Sequence, residues 1–257
     1  SLAQRGIVNG EVVDPDALES DPFIQRVVAD TEAAQVQSTV PIPPQPKPKR
    51  ERTTFEPFLP EIPREQRTNF HITDPELGYG TASEKYAANV SAIRMLKRIE
   101  NEGRLATPVE QEILSRYVGW GGLADCFDEK HSKYQELKAL LSEEEYAAAR
   151  SSSLTAFYTS PVIIQAMYLA LEQMGFREGN ILEPSCGVGN FIGMIPESMA
   201  VSHAYGVELD SISGRIAQQL YQNSSIAVTG FEKVQIPDSF FDVAIGNVPF
   251  GDFKVLD

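Results

Sequence analysis

The C-terminal half of the chain alternates between short apolar segments and segments whose apolar residues recur at helical spacing. In the helical segment Ser211–Tyr221, for example, Ile212, Ile216 and Leu220 fall on one face. Strands separated by helices pair in parallel, with right-handed crossovers. The sequence therefore predicts an α/β fold with a doubly wound parallel sheet. The predicted strands are 181–183, 204–209, 226–229 and 241–246.

A small all-helical region is predicted ahead of this sheet, over residues 81–153. Its first helix has apolar residues at three- and four-residue steps, namely Tyr86, Val90, Ile93, Leu96 and Ile99. A capping box with Pro108 at the first helical position predicts a second helix that starts at Thr107 and stops at Gly119. Another capping box, Ser142 to Glu145, opens a further helix. Trp120 between glycines is interpreted as an anchor packed on a tight turn, with a ligand-stacking ring as the alternative.

Residues 1–80 have little periodic apolar pattern. The proline-rich stretch 41–48 favours an extended conformation, and a short helix is predicted near Asp16–Ala33. We interpret 1–80 as an extended Pro-rich arm or linker that tethers or wraps, with a docking site for a partner as the alternative.

Composition excludes several classes of protein. A net charge of −14 over 257 residues argues against a broad surface for the phosphate backbone. Cys126 and Cys186 are too few for a disulfide framework, and the three histidines (71, 131 and 203) lack ligand spacing, so no metal site is expected. No apolar run is long enough to cross a bilayer, which predicts a soluble, cytoplasmic protein without membrane contact. Because the chain begins at Ser1, we expect part of a longer protein.

The strongest functional signal is the stretch ILEPSCGVGNF, residues 181–191. Gly187 and Gly189 directly follow a strand, where they allow a sharp turn and close approach of a ligand to the backbone. The next glycine, Gly193, makes the spacing one residue longer than the dinucleotide fingerprint. Glu183 at the strand end suits a ligand with a cationic ammonium group better than a pyrophosphate.

Two further strand ends carry polar residues. Glu208 ends the second strand, where an acid can accept both hydroxyls of a ribose; a helix N-cap partner or an exposed acid is the alternative. The fourth strand delivers Asn247, Pro249 and Phe250 to the same edge of the sheet. An Asn amide with a neighbouring carbonyl can hold a planar –NH2 group, and an aromatic ring can stack on its base.

Together these motifs resemble class I S-adenosylmethionine-dependent methyltransferases, specifically N6-adenine DNA methyltransferases. ILEPSCGVGNF resembles their cofactor motif, GVELD their ribose-binding strand, GNVPF their Asn-Pro-Pro-aromatic motif, and FYTSP the motif that precedes the cofactor motif. The resemblance implies a Rossmann-like class I methyltransferase sheet, partial, with parallel strands in the order 3-2-1-4. Residues 154–257 would form its cofactor-binding half, truncated after the Asn-Val-Pro-Phe motif.

The resemblance also assigns roles to residues. Glu183, Tyr158 and Thr159 would hold the methionine end of S-adenosyl-L-methionine, and Glu208 would take its ribose hydroxyls. Asn247 and the Val248 carbonyl would bind the target N6 amino group, with Pro249 in the same motif and Phe250 stacked on the flipped base. The remaining cofactor-binding residues implied are Ser185, Gly187, Gly189, Phe191, Leu209 and Glu232.

Upstream segments resemble the N-terminal part of large methyltransferase–helicase proteins of conjugative elements and phages. These segments are SEKYAANVSAIRMLKRIE, TPVEQEILSRYVGWGGL and EEYAAARSSSLTAFYTSP. Double-stranded DNA would then be bound through parts outside this chain, and the partners would be the downstream methyltransferase and helicase regions of the parent protein.

The sequence departs from the family pattern at two positions. Val248 replaces the first proline of the Asn motif, and Phe231 stands where the family usually has an Asp, so that Glu232 is the candidate substitute. Two alternatives to DNA methylation therefore stay open. One is a catalytically silent structural or partner-binding module, and the other is a protein glutamine N-methyltransferase, whose substrate presents the same planar –NH2.

Overall fold

A computed structural model describes residues 6–8, 11–13, 54–153 and 158–248. Strands β1 (Gly6–Val8) and β2 (Glu11–Val13) pair antiparallel within a separate compact unit, residues 1–49. The helix predicted near 16–33 and the proline-rich stretch 41–48 lie outside the described residues, as do Pro249 and Phe250.

Four helices form the region ahead of the sheet: α1 (Ala82–Asn101), α2 (Pro108–Leu114), α3 (Tyr134–Leu140) and α4 (Glu143–Ser152). Both predicted capping boxes are present, at the starts of α2 and α4, and a third opens α1. In each box the N-cap hydroxyl accepts a backbone N–H and a Glu side chain accepts the N-cap N–H, which satisfies two otherwise unpaired donors.

The predicted end of α2 is wrong, because the helix stops at Leu114 rather than at Gly119. Beyond Ser115 the chain continues in turns that bury Tyr117 and Trp120, which are 2% and 1% exposed. The Trp120 ring packs edge-on against Tyr86, Tyr117 and Phe127. The structure therefore supports the interpretation of Trp120 as a packed anchor.

The second half of the chain forms a four-stranded parallel sheet. Its elements are α5 (Pro161–Gln173), β3 (Asn180–Glu183), α6 (Asn190–Gly193), β4 (His203–Glu208), α7 (Ser211–Leu220), β5 (Ser225–Val228) and β6 (Val243–Ala244). The strand order is β5-β4-β3-β6, with Glu183 opposite Gly206 and Glu208 opposite Val228. This order confirms the predicted 3-2-1-4 arrangement of a class I methyltransferase sheet.

The fourth strand is shorter than predicted, two residues instead of the six from Phe241 to Gly246. Asp242 accounts for its late start: its carboxylate accepts the N–H of Asn180 at 2.7 Å and its own N–H donates to the carbonyl of Asn180 at 3.0 Å. Asp242 therefore caps the beginning of β3. After β6, the N–H of Ile245 still donates to the carbonyl of Leu182 at 2.9 Å, which keeps the chain aligned with β3 towards Asn247.

The segment 54–80, predicted as the last part of the arm, lies along the sheet and its helices. Phe55 packs edge-on against Tyr205 and Phe241. The Arg67 guanidinium donates to the carbonyls of four residues, namely Phe58, Leu59, Ile62 and Gln222. Five donors in a planar fork make arginine suited to bind several carbonyls at once. Arg67 therefore ties this segment to the chain just after α7.

Buried amide side chains join the helical region to α7, and we call Gln111, Gln219 and Gln222 the amide joint. The side-chain oxygen of Gln219 accepts the N–H of Ala106 at 2.7 Å, and the side-chain amide of Gln222 donates to the backbone carbonyl of Ala106 at 2.7 Å. The side-chain amide of Gln111 donates to the backbone carbonyl of Gln219 at 2.9 Å. All three side chains are at most 2% exposed. The joint therefore fixes one register between the two parts.

Replacing Gln219 by leucine is expected to lower the free energy of unfolding by about 1–3 kcal/mol, because the buried N–H of Ala106 loses its acceptor. Denaturant titration measures the change. Gln173→Leu, at an exposed position at the end of α5, serves as the control and should change stability by less than about 0.5 kcal/mol. Equal effects of the two substitutions would contradict the role assigned to the joint.

Within the described ranges, no helix combines the length and the apolarity that crossing a membrane requires. The same ranges contain no group of three or more His, Cys, Asp or Glu side chains placed to hold a metal ion.

Candidate cofactor site

The turn after β3 depends on glycines that have no room for a side chain. Gly187 and Gly189 have φ values of 56° and 82°, in the left-handed region that favours glycine. A Cβ at Gly187 would overlap the Tyr158 ring, and a Cβ at Gly189 would overlap the Tyr221 ring. The turn is therefore built from backbone pressed against two tyrosines.

Glu208 ties this turn to the end of β4. One carboxylate oxygen accepts the N–H of Gly187 at 2.7 Å and the other accepts the N–H of Asp210 at 2.7 Å. Each oxygen keeps a further lone pair for a ligand donor. Burial raises the pKa of Glu208, against the effect of the backbone donors. The N-cap of α7 is Asp210, which accepts the N–H of Ser213 at 2.7 Å, so Glu208 does not serve as the cap.

Glu183 lies beneath the same turn and is only 3% exposed. Its Oε2 has no hydrogen-bond partner among the described residues. Burial raises the pKa of this carboxyl well above its usual range; the N–H of Ile192 opposes the shift, and the nearby Glu208 charge adds to it. A buried carboxylate oxygen without a partner is costly, and a cationic ligand would relieve that cost. The Glu183 carboxylate is therefore a hydrogen-bond acceptor that fits the ammonium group of S-adenosylmethionine.

Tyr158 lies between the glycine turn and α7. Its hydroxyl is 3.2 Å from the Ser213 hydroxyl, and burial raises its pKa well above the usual range. Beside it, Thr159 and Asn190 line a cavity of about 250 Å³ together with residues of the helical region, among them Val118. Lys85 of α1 also lines this cavity.

Asn247 follows β6 at the same edge of the sheet as Glu183. The preceding residue, Gly246, lies against Glu183: a Cβ at Gly246 would be 3.7 Å from Cγ of Glu183. Asn247 and Val248 are both exposed there. The predicted acid of the glycine turn and the predicted Asn motif therefore meet at one edge.

The other predicted site residues occupy more varied positions. Phe191 is buried in the core beside α5, so its side chain faces away from solvent. Leu209 is 76% exposed next to Glu208, and Ser185 is half-buried in the turn. Glu232 is exposed, and its carboxylate is folded back against Gly230, two residues earlier in the chain.

Cys186, in the middle of the glycine turn, packs against Gly206 of β4. It is 3% exposed, and burial raises the pKa of its thiol well above the usual range. A thiol that resists ionisation is a poor nucleophile, so Cys186 acts as a packing residue.

Sequence reasoning missed Ser213, Tyr221 and Gly119 as neighbours of the turn. The Tyr221 ring packs against Gly189, and a Cβ at Gly193 would overlap the Tyr221 hydroxyl. The third glycine, Gly193, therefore makes room for a tyrosine rather than for a ligand. Ser213 is separated from Tyr158 by 55 positions, and no local pattern signals that contact. Asp210 was missed as the N-cap of α7, although its place directly before an amphipathic helix is a signal that could have identified it.

No family model matches the chain. Over 83 residues the chain is 37% identical to type II methyltransferase M.CvrRI of Paramecium bursaria Chlorella virus XZ-6E, covering 32% of this chain and 21% of that protein. It is 26% identical over 109 residues to modification methylase CviBIII of Paramecium bursaria Chlorella virus NC1A, covering 42% and 29%. Part of the chain is therefore similar to part of two viral modification methyltransferases.

A third relative is defense against restriction protein B of Escherichia phage P1, 29% identical over 166 residues, which are 64% of this chain and 6% of that protein. The matched part of the chain thus spans less than a third of each of these three relatives. Among solved structures, a Listeria monocytogenes protein described as a class I S-adenosylmethionine-dependent methyltransferase is 17% identical, with a TM-score of 0.32 over 64% of this chain and 60% of that one. The fold assignment rests on the strand order.

Proposed function

We propose that this chain binds S-adenosylmethionine at the glycine turn and supplies the cofactor half of an N6-adenine DNA methyltransferase. The observation that carries the proposal is the meeting of three strand ends: Glu183 is the last residue of β3, Glu208 is the last residue of β4, and Asn247 follows β6. Ligands of open α/β sheets bind at this carboxyl edge. The similarity to two viral modification methylases supports DNA as the substrate.

Each residue would have a separate task in holding the cofactor. The Glu183 carboxylate would accept the ammonium group, and Glu208 would use its remaining lone pairs for the ribose hydroxyls. Exposed Leu209 would pack on the adenine ring, and Glu232 would take its amino group after turning away from Gly230. Thr159 and Ser185 would complete the methionine end.

Methyl transfer to an amine needs alignment rather than a covalent enzyme intermediate. The bound cofactor supplies an electrophilic methyl group on a sulfonium. The Asn247 side-chain oxygen and the Val248 carbonyl would accept the two N–H groups of the target amine, which orients its lone pair towards that methyl group. Phe250 would stack on the flipped base. Hydrogen bonds of this kind strengthen as positive charge develops on the nitrogen.

DNA itself would be held by other parts of the protein. The chain has 36 acidic and 22 basic residues, which is unfavourable for binding a polyanion on its own. Downstream methyltransferase and helicase regions of a parent protein from a mobile element would supply the DNA contacts. The phage relative of which this chain covers 6% is consistent with such a large parent.

Calorimetric titration with S-adenosylmethionine tests the cofactor site directly. The wild-type chain is expected to bind, and Glu208→Ala is expected to weaken binding at least tenfold, because both ribose acceptors are lost and the N–H of Gly187 is freed. Glu178 is exposed and precedes the first residue of β3, at the end of the strand away from the glycine turn. Glu178→Gln should therefore bind the cofactor like the wild type.

Absence of wild-type binding would contradict the proposal and favour the silent-module alternative. If binding holds, labelled cofactor offered with DNA and with protein substrates separates adenine methylation from glutamine methylation. Label transferred only to protein would overturn the DNA assignment while leaving the cofactor site intact.

A further inference from the structure

The loop after α2, residues 119–122, touches the candidate cofactor site although it belongs to the helical region. Gly119 has a φ of 67°, and a Cβ there would lie 3.2 Å from Cε2 of Tyr158. Gly187 approaches the same ring at Cε1, the opposite edge. The hydroxyl is held by Ser213 at 3.2 Å. Three separate elements therefore fix the position of the Tyr158 ring.

Asn89 of α1 holds Gly119 in place. Its Nδ2 donates to the Gly119 carbonyl at 2.6 Å and its Oδ1 accepts the N–H of Val118 at 2.9 Å. The side chain is fully buried, at 0% exposed. A buried amide that satisfies both a donor and an acceptor on one loop allows that loop a single conformation.

We propose that Asn89 and Gly119 are positioning residues, which act through Tyr158 to set the shape of the cofactor turn. The inference rests on the proposed function, since it deepens the description of that same site. The helical region is then a constituent of the cofactor site rather than a neighbouring cap. Val118 and Gly121 line one cavity together with Tyr158 and Thr159, so the helical region and the candidate site are also adjacent there.

Gly119→Ala tests the inference, because the same loop offers a matched control. Gly122 has a φ of 75°, so alanine there carries the same backbone strain, but a Cβ at Gly122 would meet no atom of the described residues within 4 Å. We expect Gly119→Ala to weaken S-adenosylmethionine binding about tenfold and Gly122→Ala to leave it within twofold. Near-ultraviolet circular dichroism and the emission of Trp120, the single tryptophan, verify that both variants fold.

A double-mutant cycle shows whether Gly119 acts through Tyr158. The affinity of Gly119→Ala combined with Tyr158→Leu should equal that of Tyr158→Leu alone, because the contact is already lost. Independent losses that multiply, or equal losses from Gly119→Ala and Gly122→Ala, would overturn the inference.

A second readout requires no cofactor. With ring-labelled tyrosine, assigned by Tyr158→Phe, the Tyr158 resonances should shift in Gly119→Ala and in Asn89→Asp but not in Gly122→Ala. Failure of the wild-type chain to bind S-adenosylmethionine would refute the proposed function alone. Unshifted Tyr158 resonances in Gly119→Ala and Asn89→Asp would refute the positioning role alone.

Discussion

Replacing Asn247 by alanine is expected to lower methyl transfer to adenine at least about 100-fold in the protein that contains this chain, with cofactor affinity unchanged within about twofold. The residue follows β6 at the exposed edge of the sheet, next to Gly246, which contacts Glu183. Its amide oxygen would accept one N–H of the target amine, and alanine offers no acceptor. Single-turnover transfer from labelled cofactor to an adenine-containing duplex measures the rate.

Asn101→Ala is the control, since Asn101 is exposed at the end of α1 and remote in sequence from the sheet edge. It should transfer methyl groups at the wild-type rate. An Asn247→Ala protein with wild-type activity would contradict the assignment of the Asn motif. An Asn247→Ala protein that also loses the cofactor would place Asn247 in the cofactor site instead.

Replacing Glu183 by glutamine is expected to weaken cofactor binding at least about tenfold and, at neutral pH, to make the free chain more stable. The two effects have one cause. Glu183 is buried, and one of its oxygens has no partner in the part of the chain that the structure describes, so its charged form is costly without a cationic ligand and useful with one. Calorimetric titration and thermal unfolding of the same samples measure the two changes.

The pH dependence of stability gives an independent check on Glu183. Because its folded-state pKa is raised above the unfolded value, the folded chain binds the extra proton, and stability from this group is present at low pH. That contribution is lost as pH rises from the unfolded pKa to the folded one, at about 1.4 kcal/mol for each unit of difference. The stability gain of Glu183→Gln should therefore shrink as the pH is lowered towards 4.

Affinity for the cofactor should change in the opposite direction with pH. The ammonium group favours the charged carboxylate, so binding should tighten as pH rises towards the raised pKa of Glu183, for as long as the ammonium group keeps its proton. Glu183→Gln should lack this dependence. A flat wild-type profile, or a variant as tight as the wild type, would contradict the role of Glu183.

Periodicity and capping chemistry predicted most of the fold. The helices that start at Thr107 and Ser142 were visible because capping residues and an N1 proline act within four residues. The end of α2 was not visible, because the chain leaves the helix where Trp120 packs against Tyr86 and Phe127, and such contacts have no local sequence signal. The shortened fourth strand likewise depends on Asp242 reaching Asn180 across the sheet.

The candidate site was predictable where the chemistry sits at strand ends. Glu183 and Glu208 end two strands and Asn247 follows a third, and the parallel sheet brings such ends together by topology. The support of Tyr158 was not predictable, because Gly119, Gly187 and Ser213 come from three distant segments. A glycine that makes room for a distant ring looks in sequence like any glycine in a loop.

The amide joint determines which other parts of the molecule a bound ligand stabilises. A ligand that binds only the folded state stabilises every segment that must unfold together with its site. Gln111, Gln219 and Gln222 hold the helical region in a single register on α7. When a ligand occupies the glycine turn, the backbone amides of the helical region should therefore gain hydrogen-exchange protection together with those of the sheet. A hinge of the kind used by enzymes that close over their substrates would instead leave the helical region exchanging at its own rate.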